Sequence, residues 1–227
     1  LAVIVILVGF VAIANTIGNK GNIEKIAAFE SAAKENQLVP EKDENGNWTG
    51  FESEFAMEVG KIIGMEVKFQ EIDWAEKYNE LNSGAIDCIW NGFTMNGREA
   101  DYTFSVPYVD NSQVIVVAEN SGITSFADLA GKKVGVQAAS AALSVLQDEE
   151  AQKALADTFA SLTQIAEYNT AFMDLESGVC DAIAMDIGVA YYQMNSRENP
   201  DNFIILDQEI SSEQYGVGFK LGNEELR

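Results

Sequence analysis

Histidine is absent from this 227-residue chain, cysteine occurs twice, proline three times, and basic residues number only 14 against 36 acidic ones. Without histidine, the common zinc and haem ligand sets and both Ser-His-Asp and Cys-His catalysis have no residue to build on, and no cofactor or metal is expected. The resulting net charge of −22 repels phosphate backbones and anionic membrane surfaces, which excludes nucleic acid as a partner and favours a monomer. A zwitterion carries no net charge, so the same field neither steers it nor turns it away. Cys88 and Cys180 lie in apolar, strand-like segments far apart in sequence and are expected to be buried free thiols, although an exported chain would permit a disulfide.

What the chain does have is a globular composition. Hydrophobic residues make up 47% and charged ones 22%, with no low-complexity tract. The length fits one large α/β domain or two lobes of about 100 residues each. Residues 1–14, LAVIVILVGFVAIA, form an uninterrupted apolar run that is short for the ~20 residues of a bilayer-spanning helix and ends in Ala12-Ile13-Ala14. The expectation is the remnant of an export signal peptide over residues 1–22, with a retained membrane anchor as the alternative, and hence an extracytoplasmic location.

Beyond it, Ile23 to Ser31 is expected as a first strand, and Asn45-Gly46 marks a turn. In SEFAMEVGKIIG the residues Phe55, Val59, Ile62 and Ile63 recur at helical spacing, with Gly64 placed as a C-terminal cap. A strand carrying Val67 and Phe69, a helix over 75–83 closed by Gly84, and an apolar strand AIDCIW at 85–90 follow, and this β-α-β-α-β order predicts a parallel sheet. The second half repeats the scheme: strands at 132–137, 179–186, 203–207 and 215–220, and helices over 140–148, 170–177 and 187–196.

One internal repeat ties the halves together. Leu81 to Ile89 and Leu175 to Ile183 share the pattern L-x-S-G-x-x-D-x-I, each a helix end, a glycine cap and a buried strand. Ligands of open α/β sheets bind beyond the carboxyl ends of strands, so the residues after each copy are the candidates. After the first copy come Asn91, Gly92, Thr94 and Arg98; after the second comes Asp186. The Arg98 guanidinium suits a carboxylate, Asp186 suits an ammonium, and the Gly92 carbonyl and Thr94 hydroxyl add an acceptor and a donor. An α-amino acid carries both charged groups on adjacent atoms. A surface charge is the alternative for Arg98, and a helix N-cap for Asp186. The turn Gln137-Ala138-Ala139-Ser140-Ala141, between a strand and a helix, offers backbone N–H groups to an anion. Trp74 opens a helix directly after a strand, where it would form either a flat wall for a ligand or part of a core.

Taken together, DENGNWTGF at 43–51, the segment from Trp74 to Asp87, WNGFT at 90–94, FSVPY at 104–108, QVIVV at 113–117, DLAGKKVGVQ at 128–137 and DAIAMD at 181–186 resemble the bacterial extracellular solute-binding proteins for amino acids, the capture subunits of ABC importers. The resemblance runs from about Ile23 to Arg227. It implies a type II periplasmic-binding-protein fold of two α/β lobes, 23–112 and 113–213, joined by two crossover strands, with 214–227 returning to the first lobe and C-terminal helices lying beyond Arg227. It further implies capture of a free amino acid by lobe closure, delivery to an ABC permease, and no catalysis. By the same resemblance Arg98 takes the ligand carboxylate, Asp186 the ammonium, Gly92 and Thr94 the zwitterion, Ser140 and its neighbours the carboxylate, Trp74 the side chain by stacking, and Gln137 borders the side-chain pocket. The chain departs from the family pattern in three places. Its first loop offers Glu30, Asn36 and Gln37 in place of an aromatic before a proline pair, the Thr94-to-Arg98 spacing is one residue shorter, and Ala141 replaces a threonine. Glu30 and Gln137 lean toward a polar or basic ligand side chain. A ligand-sensing receptor domain, or a dehydratase using Glu30, Glu35 or Asp73 as its acid, are the alternatives on the same fold.

Overall fold

The structure, a computed structural model, describes residues 2–8, 41–42 and 45–227. The chain divides into two compact units, one of Leu1–Val109 with Gln214–Arg227 and one of Asp110–Glu213, so it passes between them twice.

In the first unit, strand β1 (Ala2–Val8) pairs antiparallel with β4 (Glu66–Ile72). The apolar run expected as an export signal is therefore placed, over its first residues, at the edge of β4. The strand expected at Ile23 to Ser31 lies outside the described residues. Strands β2 (Glu41–Lys42) and β3 (Trp48–Thr49) form a small antiparallel ladder around Gly46, whose φ of 83° supplies the turn read from Asn45-Gly46. Helix α1 (Phe51–Ile63) ends on Gly64, left-handed at φ 73°, as its apolar spacing predicts. A short 3-10 turn at Trp74–Glu76 leads into α2 (Lys77–Ser83).

The expected parallel sheet does not extend to the described ladders of this unit. Strand β5 is only Cys88–Ile89, and it pairs antiparallel with β12 (Gly218–Lys220), which on its other edge pairs antiparallel with β6 (Tyr102–Phe104). The partner of β5 thus comes from the far end of the chain, a pairing no local pattern encodes.

The second unit is a five-stranded sheet in the order β11-β7-β10-β8-β9. These strands are β7 (Val109–Ala118), β8 (Lys133–Gln137), β9 (Ser161–Ile165), β10 (Ala182–Asp186) and β11 (Phe203–Tyr215). Here β8 runs parallel to both β9 and β10, and β7 runs antiparallel to β10. Strand β9 and the short helix α4 (Lys153–Ala156) escaped sequence reading, and β11 is much longer than the FIILD segment that signalled it.

Both faces of this sheet are covered. Ile115, Val117, Val134, Val136, Ala182 and Ala184 pack on one side with Leu143 and Leu146 of α3 (Ala141–Gln147). Val114, Val116, Ile183 and Met185 pack on the other with Phe172 of α5 (Tyr168–Ser177) and Ala190 of α6 (Ile187–Asn195). Two buried faces are why QVIVV is a continuous apolar run rather than an alternating one, each side chain contributing about 1.5–3 kcal/mol on burial.

The sequence repeat is a structural repeat. Gly84 (φ 79°) and Gly178 (φ 75°) are both left-handed caps, and each donates its N–H to the carbonyls three and four residues back. Leu81 and Leu175 are buried before the cap, Ile89 and Ile183 after it.

Close approach makes a third glycine necessary. A Cβ on Gly218 would lie 2.5 Å from the Phe93 ring and 3.5 Å from that of Phe104. Gly218→Ala is expected to lower unfolding stability by about 1–3 kcal/mol through overpacking, measured by urea denaturation; a change within ~0.3 kcal/mol would show that Phe93 yields freely.

Candidate functional site

In the first unit the candidate residues collect around one aromatic ring. Phe93 is fully buried, and Tyr102 (4.9 Å between centroids), Phe104 (5.3 Å) and Trp74 (5.9 Å, nearly perpendicular) surround it. The Arg98 guanidinium sits 5.1 Å from the centre of that ring, and its Nη1 donates to the Thr94 carbonyl at 3.0 Å. Arg98 is half-buried. Thr94 is buried and bridges to Tyr215. Asn91 and Gly92 are half-buried, and Gly92 takes a positive φ of 52° with the Tyr215 ring 3.6 Å from where a Cβ would be.

Two residues of this cluster went unrecognised in the sequence. Glu52, in the first turn of α1, looks there like a complement to the helix dipole, but its side chain is buried. Its Oε1 accepts from the Gly92 N–H at 2.6 Å and from the Tyr108 hydroxyl at 2.5 Å, fixing the loop that carries the candidates. Burial first, then the Glu52 charge, pushes the Tyr108 phenol well above its ordinary pKa, so it remains a donor. Lys77 is the other. It is buried on α2, its Nζ donates to the Trp74 carbonyl at 3.1 Å, and it lies 4.7 Å from the centre of the Trp74 ring.

In the second unit, the candidates Gln137, Ser140 and Ala141 lie at the β8–α3 turn. Ala139 stands at φ 54°, a left-handed conformation costly for a residue with a Cβ. Ser140 is buried at the N-cap of α3, where its Oγ accepts from the Leu143 N–H at 3.2 Å. Ala141 is the first residue of α3, and the Gln137 amide donates to the Ala166 carbonyl at 3.1 Å.

Asp186 resolves an ambiguity. It occupies the N-cap position of α6, yet its carboxylate makes no capping bond. Oδ1 instead accepts from the Gln113 amide at 2.7 Å and the Asn111 amide at 3.0 Å, both on β7. Burial, followed by the charge of Asp186, holds the Tyr168 phenol well above its ordinary pKa. Asn111 and Gln113 sit at alternate, buried positions in the polar first half of β7, where Asp110 and Ser112 mask them as a signal in the sequence. Glu30 lies outside the described residues. Cys88 and Cys180 are buried and take part in no disulfide, and burial pushes the Cys180 thiol up to about 11.

A profile of the bacterial extracellular solute-binding proteins, family 3, matches residues 34–190. The L-cystine-binding protein TcyJ of Escherichia coli K12 is 31% identical over 186 residues, a match covering 81% of this chain and 66% of that protein. Among solved structures, an ABC uptake transporter substrate-binding protein of Streptococcus pneumoniae with bound histidine superposes with a TM-score of 0.78 at 26% identity, covering 93% of this chain and 87% of its own. An ancestral arginine-binding protein bound to arginine gives 0.73 at 34% identity, covering 82% and 81%.

Lys77 supplies a test of this geometry. Burial first, and then the neighbouring Arg98 charge, lowers its pKa from 10.5 to about 8. Between those values the unfolded chain holds more protons than the folded one, so the stability contributed at this site rises with pH. The difference in unfolding free energy between wild type and Lys77→Met should shift in favour of wild type by up to about 3 kcal/mol from pH 7 to 10.5. A difference that stays flat across that window would place Lys77 in solvent.

Proposed function

The chain belongs to the bacterial extracellular solute-binding proteins, family 3, and from that premise we propose that it captures a free α-amino acid by lobe closure and delivers it to an ABC-type permease outside the cytoplasm. It is a binding protein rather than an enzyme. The observation that carries the reading is the pair of charged groups just past the repeated cap-and-strand unit. Arg98 is oriented by the Thr94 carbonyl and the Phe93 face, and Asp186 is turned away from its own helix by two amides. In this reading Arg98, Thr94 and the turn before Ser140 receive the ligand carboxylate, and Asp186 and Gly92 the ammonium. Trp74 and Gln137 border the side chain, and Asn91, Ala141 and Glu30 are further ligand-binding candidates. An export signal in residues 1–22 fits the same role.

Curated and structural relatives bind cystine, histidine and arginine by their names. Lys77 qualifies the expectation of a polar or basic ligand side chain. Its ammonium over the Trp74 ring adds positive charge beside the aromatic wall, which favours a polar side chain over a guanidinium.

The experiment is a thermal-shift screen of the twenty amino acids with cystine and ornithine, followed by calorimetry. At least one polar amino acid should raise Tm, and Arg98→Ala should weaken its binding about 100- to 1000-fold, since an uncompensated carboxylate costs on the order of 3–5 kcal/mol. Unchanged affinity in that variant would reject the carboxylate assignment. A second arm, Lys77→Met, should improve arginine relative to glutamine, and an unaltered ratio would remove Lys77 from the specificity argument.

A further inference from the structure

Four side chains of the second unit close a hydrogen-bonded square. Asn111 Nδ2 donates to Asp186 Oδ1 at 3.0 Å and to Glu213 Oε1 at 2.7 Å, and Gln113 Nε2 donates to the same two oxygens at 2.7 and 2.6 Å. Asn111 and Glu213 are almost wholly buried and Gln113 is completely so. Two carboxylates thus share two neutral amides, an arrangement costly to bury for its own sake.

The far sides of the same amides make a second observation. Asn111 Oδ1 and Gln113 Oε1 are buried and accept no hydrogen bond. Each orphaned acceptor costs about 1–3 kcal/mol. A network serving stability alone would satisfy both ends of its amides, whereas here only the N–H ends, which face the carboxylates, are satisfied. The residues also occupy particular places in the chain. Asn111 lies two residues past the point where the chain enters this unit, and Glu213 is the last residue before it leaves.

We infer that Glu213, with Asn111 and Gln113, is a positioning device for recognition of the ligand ammonium. Glu213 fixes the two amides, and the amides fix the Asp186 carboxylate clear of the α6 N–H groups that would otherwise be capped by it. With Glu213 removed, the amides are released and Asp186 falls back to its N-cap position. The second negative charge further deepens the potential felt by a cation at Asp186. This inference rests on the amino-acid-binding reading above.

The test uses Glu213→Met and Gln113→Met in the full chain. The probes are the amino acid that wild type binds most tightly in the panel of twenty with cystine and ornithine, and the same molecule with hydrogen in place of its α-ammonium, read by thermal shift and competition at millimolar concentrations. Glu213→Met should weaken the amino acid about 10- to 100-fold and the desamino counterpart by less than about 3-fold. In an Asp186→Asn background it should weaken the amino acid by less than about 3-fold. Gln113→Met should show the same selectivity, and it decides the matter if Glu213→Met does not fold. Equal loss for both probes, no loss for either, additivity with Asp186→Asn, or failure of both variants to fold would assign the square to stability alone and overturn the inference. Wild type that binds no amino acid in the panel overturns the functional reading itself, and the inference falls with it.

Discussion

The candidates Gly92, Thr94, Arg98 and Asp186 follow one backbone constraint shared by both units, the left-handed glycine that ends a helix just before a buried strand. Gly84 and Gly178 reverse the chain at no Cβ cost and hand it to β5 and β10 within a few residues. Because the cap fixes where the helix stops and the following strand is anchored by Ile89 or Ile183, it also fixes which residues emerge at the strand's carboxyl end. In one unit these are Gly92, Thr94 and Arg98, and in the other Asp186. The site is a by-product of where a strand must end.

A charged group delivered to such a place must be oriented, and the two units do so with neutral chemistry of different kinds. Arg98 lies against the Phe93 face and donates to a main-chain carbonyl. Its planar, weakly hydrated head suits an aromatic support. Asp186 accepts from two side-chain amides of a neighbouring strand. Each support rests in turn on a deeper layer, Phe93 on Gly218 and the aromatic cluster, the amides on Glu213. Glu52 plays a comparable part for the Gly92 loop. The candidate groups are thereby tied to buried residues whose roles no local motif announces.

Legibility followed the range of the interactions. Helix α1 with its Gly64 cap, the two repeated caps, strands β8 and β10, helices α3, α5 and α6 and the candidates Arg98 and Asp186 could be read because periodicity, capping and strand ends are set within a dozen residues. Strand β9 was missed because SLTQI carries little apolar signal at the edge of its sheet, and β11 was underestimated because its polar second half looks like a loop. Among the described ladders β5 pairs antiparallel with β12, some 130 residues away in sequence, a partner that only tertiary packing chooses.

By itself, then, the sequence determined the chemistry on offer: no histidine, strong net acidity, a repeated cap-and-strand unit, and one guanidinium and one carboxylate placed just beyond it. Tertiary structure decided what those groups contact. Whether Asp186 caps its helix or faces the amides of β7 is a choice between two nearby sets of donors, and only the three-dimensional position of Asn111 and Gln113 settles it. Whether Lys77 is a solvated helix residue or a buried charge over Trp74 is settled in the same way, since burial is a property of the packed neighbours and not of the residue.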